Sequence, residues 1–133
     1  MSSLRQSILI RTDLNLPIGL LSAQVAHLHF ETARVNMNDL GLIKMEEEAK
    51  KNFIEWIHDP YLFVHQVPNI EVLRFFQEEA IRVGIPNYEW NDTIFINISP
   101  LFRKAFRTTV GIVLGPCDSD KIKEVISDLP LLG

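Results

Sequence analysis

The chain holds a single cysteine, Cys117, in 133 residues, so no internal disulfide can staple it and no cysteine cluster can hold a metal. It contains no apolar run of 18 residues, so a membrane-spanning helix is not expected. Its opening, MSSLRQSILIRTD, sets only Ile8, Leu9 and Ile10 in a row before Arg11, too short for the apolar segment of a signal peptide. A reducing, cytoplasmic location is the expectation that fits these absences. Positive charge is also in short supply: 13 Lys and Arg against 17 Asp and Glu give a net charge of −4. A nucleic-acid role would therefore have to rest on a local basic patch. Repeats, low-complexity tracts and linkers are missing. His29, His58 and His65 lack ligand spacing, so no metal site is expected, and nothing suggests a cofactor.

What is present is ordinary globular material, 47% hydrophobic and 23% charged, in one expected domain over residues 1–133. A chain of this length buries about two-thirds of its unfolded surface, enough for a core. The organising stretch is Ile8 to Glu31. Ser7–Thr12 reads as a buried strand, and Asn15-Leu16-Pro17 as a turn and helix start, with Asn15 or Asp13 as cap. From Ile18 to about Asn36 the pattern is helical. Leu21, Val25 and Leu28 share one face; Leu20, Gln24, His27 and Glu31 share a neighbouring, more polar one. Gly19 is costly in a helix, which suggests close backbone packing or ligand approach.

After a break at Met37–Gly41, Leu42–Ile57 reads as a second helix and Tyr61–Val67 as a strand. Ile70–Val83 is a third helix, opened by Pro68-Asn69 and closed by Gly84. Ile85–Trp90 suggests a short strand, Asn91-Asp92 a turn and Thr93–Ile98 another strand. Ser99–Arg107 has the look of a short basic amphipathic helix with Ser99 as cap and Pro100 in its first position. Thr108–Leu114 is a last buried strand, Gly115-Pro116 a turn, and Asp118 the cap of a final helix, Ser119–Ile126. Strands alternating with helices predict an α/β fold: a three-layer α/β/α sandwich around a small mixed sheet of about four strands.

Arg11-Thr12-Asp13-Leu14, then Gly19, then Ala23-Gln24-Val25-Ala26-His27 resembles the N-terminal signature of the type 2, archaeal/eukaryotic-type peptidyl-tRNA hydrolases. The likeness continues through Val83-Gly84-Ile85-Pro86, Gly115-Pro116 and Leu129-Pro130-Leu131-Leu132. It is similar above all to a related group of small uncharacterised proteins of that fold, with a comparable "DL…PxGL" opening and "VGIVLGP…LPLL" ending. The type 2 family places a lysine directly after the signature glycine, and the resemblance implies that this lysine is central to its chemistry. Here that position is Leu20. The family's Asp-x-Gly-x-Thr segment is matched loosely by Glu89-Trp90-Asn91-Asp92-Thr93, and the stretch after Thr93 is longer by several residues, Phe102–Arg107 included.

Hydrolysis of a peptidyl-tRNA ester needs a positioned water and a donor for the developing oxyanion. Loss of one such electrostatic group costs on the order of 100- to 1000-fold in rate. The resemblance implies a role for Gln24; with it His27, as a candidate base, and Glu89 and Thr93 make up the expected catalytic set, and Arg11, Asp13, Gly19, Leu20 and Thr109, with Arg103, Lys104 and Arg107 from the longer stretch, are the candidate substrate contacts. Each has a plainer alternative. Arg11 and Asp13 can simply pair or cap; Gln24 can satisfy buried backbone; His27 can be a structural histidine. The basic stretch is either an amphipathic helix packing Phe102 and Phe106 or a patch contacting tRNA phosphates. Cys117, after a Gly-Pro turn near a helix start, is a candidate for a lowered thiol pKa. Two functions stay open: a hydrolase of peptidyl-tRNA or a related ester or amide, and a catalytically inactive homodimeric binding module on the same fold. The resemblance implies a homodimer in either case.

Overall fold

The computed structural model describes residues 3–37, 47–58, 60–127 and 129–132. In chain order it forms β1 (Leu4–Arg11), α1 (Ile18–Met37), α2 (Glu47–Ile57), β2 (Leu62–Val67), α3 (Ile70–Val83), β3 (Asn87–Ser99), β4 (Phe102–Asp118) and α4 (Ser119–Ile126). The strands make one mixed sheet in the order β2-β1-β4-β3. β1 is parallel to β2 and antiparallel to β4, and β3 is antiparallel to β4. This is the expected α/β architecture. The expected break at residues 38–41 and the start of the second helix, residues 42–46, lie outside the described residues.

Strand alternation sorts the core into two layers. Leu9, Val67, Ile112 and Leu114 face α3 and α4, where Leu73, Ala80, Ile122 and Ile126 cover them. Ile8, Ile10, Val113 and Ile94 face the other way, under Leu28 of α1. Trp56 of α2 is buried and meets His29 of α1 edge-on, so α2 belongs to the same layer. With both faces covered, β1 is buried from Arg5 to Arg11, as a central strand with a parallel neighbour should be. Asn69 caps α3 by accepting from Val72 N, Gly84 ends it at φ 79°, and Asp118 caps α4 by accepting from Asp120 N. These three helix ends match the sequence expectation.

The outer edge of β2 is closed by residues 129–132. Gln66 N donates to Pro130 O and Leu132 N to Val64 O. Beneath them Arg5 reaches His65 Nε2 at 2.9 Å and lies over Phe63, 4.2 Å from the ring centroid. A guanidinium only donates, so Nε2 is the acceptor and His65 Nδ1–H donates to Leu129 O at 3.3 Å. Burial holds the His65 pKa below its ordinary value, consistent with this neutral ring.

Three expectations are corrected. Asn91-Asp92 is no turn; both residues lie inside β3, which runs unbroken from Asn87 to Ser99. Residues 102–107 form strand, not helix. Ser-Pro and two phenylalanines four apart suit a helix, but the segment pairs with β3 from Thr93↔Arg107 to Asn97↔Arg103, and that non-local ladder decides. Gly115-Pro116 does not turn the chain either: it lies within β4, joined by a cis peptide bond, with Gly115 at φ 91°.

β4 carries one irregularity with wide effect. Trp90 pairs with Gly111 and Asn91 with Thr109, so Val110 is an extra residue, a β-bulge. Val110 and Gly111 consequently both face α1. A Cβ on Gly111 would stand 2.5 Å from Leu9 O and 2.9 Å from Leu28 Cδ1. Gly19 is the opposite case: a Cβ there would meet nothing within 4 Å, which removes close packing as its reason. Gly111→Ala should therefore destabilise by about 1–3 kcal/mol through overpacking against backbone. Gly19→Ala should stabilise by up to about 1 kcal/mol through helix propensity. Urea unfolding of both variants checks this, and equal midpoints would contradict it.

Candidate functional site

Chain direction brings the chemistry to one end of the sheet. α1 follows β1 and α3 follows β2, so both helices start at the carboxyl ends of these parallel strands, the usual ligand end of open α/β sheets. β3 runs the same way as β1 and continues past it. The last pairing of β1 with β4 is Ile10↔Gly111, so residues 93–107 pair only with one another and project as a two-stranded arm. The arm base is anchored by Ile94 and Phe106, which join the core layer under α1 together with Leu14, Leu16 and Leu21.

Gln24 is the hub on the α1 side. It is buried, with 5% of its surface exposed, and both ends of its amide are engaged. Oε1 accepts from Trp90 Nε1 at 2.8 Å, and Nε2 donates to Asp92 Oδ2 at 2.9 Å. The other Asp92 oxygen accepts from Thr93 N at 2.8 Å. His27, one turn along α1, stacks on the Trp90 indole, with centroids 4.6 Å apart and planes 10° from parallel. These bonds fix the amide orientation, because an indole N–H only donates and a carboxylate only accepts.

A second network closes the end of the sheet. Arg11 is buried and grips Asp13 with two bonds, Nε to Oδ1 at 3.0 Å and Nη2 to Oδ2 at 2.8 Å. Its Nη1 donates to Thr108 Oγ1 and to Thr109 O. The Arg11 guanidinium holds the Asp13 carboxyl below the usual carboxylate range. Thr109 Oγ1 accepts from Arg74 Nη2 at 2.7 Å and faces both Glu89 Oε2 and Asn91 Oδ1, to one of which its single proton goes. Arg74 also pairs with Glu89 at 2.9 Å, both partly exposed.

The expected site residues thus divide. Gln24 and His27 come together, through Trp90. Glu89 bonds Arg74 of α3 and lies across the sheet from Gln24, and alternation puts Thr93 on that same far side. Arg11, Asp13 and Thr109 are joined in the second network. Gly19 and Leu20 are exposed in the first turn of α1. Neither Asn15 nor Asp13 caps that turn: Asp13 is held by Arg11, and Asn15, at φ 51°, donates to Asp13 O. The first helical bond is Leu21 N to Pro17 O, and among the described residues nothing accepts from the Ile18, Gly19 or Leu20 N–H. Arg103, Lys104 and Arg107 are exposed on the arm.

Trp90 and Asp92 are the functional candidates that sequence reasoning passed over. The only signal was alternation from Tyr88 through Ile94, masked by two turn-forming residues at 91 and 92. Cys117 is no longer a candidate: it is buried, and desolvation pushes its thiol up to about 11, the reverse of an activated cysteine.

Residues 4–132 match the family described as peptidyl-tRNA hydrolase PTH2. The chain is 30% identical over 129 residues to a peptidyl-tRNA hydrolase of Methanopyrus kandleri, covering 96% of this chain and 97% of that protein. It is 31% identical over 108 residues to one of Thermoplasma volcanium, covering 80% of each. A third, from Sulfurisphaera tokodaii, is 28% identical over 128 residues, or 94% of this chain and 95% of the relative.

The Gln24 hub can be tested by stability. Trp90→Phe removes the donor to a buried amide oxygen and should cost about 1–3 kcal/mol. Adding Gln24→Leu to that variant should cost less than Gln24→Leu alone, since the unsatisfied oxygen leaves with it. Strictly additive urea-unfolding energies would rule out the coupling.

Proposed function

The chain belongs to the peptidyl-tRNA hydrolase PTH2 family, and from that premise we propose that it acts on the ester joining a peptide to the 3′ end of tRNA. The observation that carries this reading is Gln24, buried and oriented by Trp90 and Asp92 beside an uncapped first turn of α1. Open N–H groups at a helix start favour negative charge, and Gly19 lets a ligand approach the backbone there. These N–H groups serve as donors to the developing oxyanion in place of the lysine that Leu20 replaces.

Asp92 is the carboxylate on the same side as Gln24, and it orients the attacking water. Water adds to the ester carbonyl as Asp92 takes its proton. The tetrahedral intermediate then expels the ribose oxygen, which recovers that proton, leaving a free peptide acid and deacylated tRNA. This reading gives His27, roughly 10 Å along the helix axis from Leu20, no part in the proton transfer. His27 instead holds the Trp90 ring by stacking. Arg11, Asp13 and Thr109 support the strand ends. Such a substrate implies a cytoplasmic location, and a homodimer belongs to this reading as a further expectation.

A specific observation favours a second reading, a binding module without turnover. Both polar ends of Gln24 are occupied, and Leu20 contributes no charge. One assay separates the two: release of tRNA from an N-blocked aminoacyl-tRNA by the native protein, Asp92→Asn and Leu20→Lys. The hydrolase reading expects slow native turnover, a loss of at least tenfold in Asp92→Asn and a gain in Leu20→Lys of up to about 100-fold, within the range for a restored electrostatic group. No turnover by the native protein or by Leu20→Lys would leave the binding reading.

A further inference from the structure

The arm is the feature that the catalytic reading does not absorb. Residues 93–107 hold three of the chain's 13 cations, Arg103, Lys104 and Arg107, and none of its 17 carboxylates. Among the described residues these three cations have no ion-pair partner. From Thr109 to the tip the arm is eight residues long, roughly 25 Å at strand rise.

Its two faces differ. Phe106 faces the core under α1, so Lys104 shares that side. Arg103, Ala105 and Arg107 occupy the other, opposite Asn97, Phe95 and Thr93. The Arg103 guanidinium lies over the Phe95 ring, 5.1 Å from its centroid, and Phe95 keeps 59% of its surface exposed. An open aromatic ring between two unpaired guanidinium groups on a flat ribbon suits a nucleic-acid strand: bases stack on the ring and phosphates meet the cations. Two copies meeting symmetrically through this face would set Arg103 and Arg107 against their own counterparts.

We propose that the Phe95–Arg103–Arg107 face of the arm is an RNA-binding surface that holds the tRNA substrate while its 3′ end reaches the first turn of α1. The proposal rests on the tRNA-ester reading above, but its test does not involve the scissile bond. The measurement is fluorescence anisotropy of labelled, deacylated tRNA with the native protein and arm variants at several salt concentrations.

Arg103→Gln with Arg107→Gln should weaken binding about tenfold and lower the log–log salt slope by roughly 1.5, as expected when two phosphates are no longer neutralised. Phe95→Ser should weaken it at least fivefold, within the range for one base stacked on an aromatic ring. Lys104→Gln, on the opposite face, should change it less than threefold. Native protein that ignores deacylated tRNA, or a Lys104 effect exceeding the arginine pair, would overturn the proposal. So would arm variants that keep tRNA affinity but lose self-association in the ultracentrifuge or binding to anionic vesicles. Turnover in the hydrolysis assay together with unchanged tRNA affinity in the arm variants would sink this proposal alone.

Discussion

The extra residue in β4 is the constraint on which the arrangement depends. With Val110 inserted opposite the Trp90–Asn91 step, β4 changes phase halfway along its length. Before the bulge in sequence, even-numbered residues such as Phe106 face α1; just after it, Gly111 and Val113 do. The same residue that lets Leu28 settle on Gly111 therefore decides the orientation of the whole arm. Were the phase continuous, Arg103 and Arg107 would lie under α1 and Phe106 would face water. A bulge also bends its strand and increases twist, which suits a hairpin that leaves the body of the sheet.

Strand alternation on β3 lets one short segment join two networks. Trp90 and Asp92 follow unbroken alternation on β3 and turn to Gln24. Glu89 and Asn91, on alternate positions, turn to Thr109 and Arg74. Each network holds a group that would be costly to bury alone: the Gln24 amide in one, the Arg11 guanidinium in the other. Their satisfaction gives the end of the sheet a defined shape, around the uncapped start of α1. Arg103, Lys104 and Arg107, without an ion-pair partner among the described residues, are left on the arm.

Much of this was legible in residue order. Buried β1, the helices α1, α3 and α4, the Asn69, Gly84 and Asp118 helix ends and the layered α/β class all follow from local pattern and capping chemistry. Arg11, Asp13 and Gln24 stand out because polar residues in an apolar strand and helix must find partners. What stayed hidden is non-local. Asn91-Asp92 has the composition of a turn, and only pairing with Thr108 and Thr109 keeps it extended. Phe102 and Phe106 sit at helical spacing, and only the ladder to β3 shows that Phe106 alone enters the core. A bulge has no local signature in Thr108–Leu114, so the side of the sheet on which the arm's charges lie could not be read from the chain.

The central claim is that the first turn of α1 and the Gln24–Trp90–Asp92 hub form the site that receives the 3′-terminal ester. The most direct measurement is an NMR titration of ¹⁵N-labelled protein with an N-blocked aminoacyl-adenosine analogue whose ester is replaced by an amide. The account predicts that the Gly19 and Leu20 amides and the Trp90 indole N–H shift together and saturate at one affinity. Saturable shifts confined to α2 or α4, with those three signals unmoved, would contradict it.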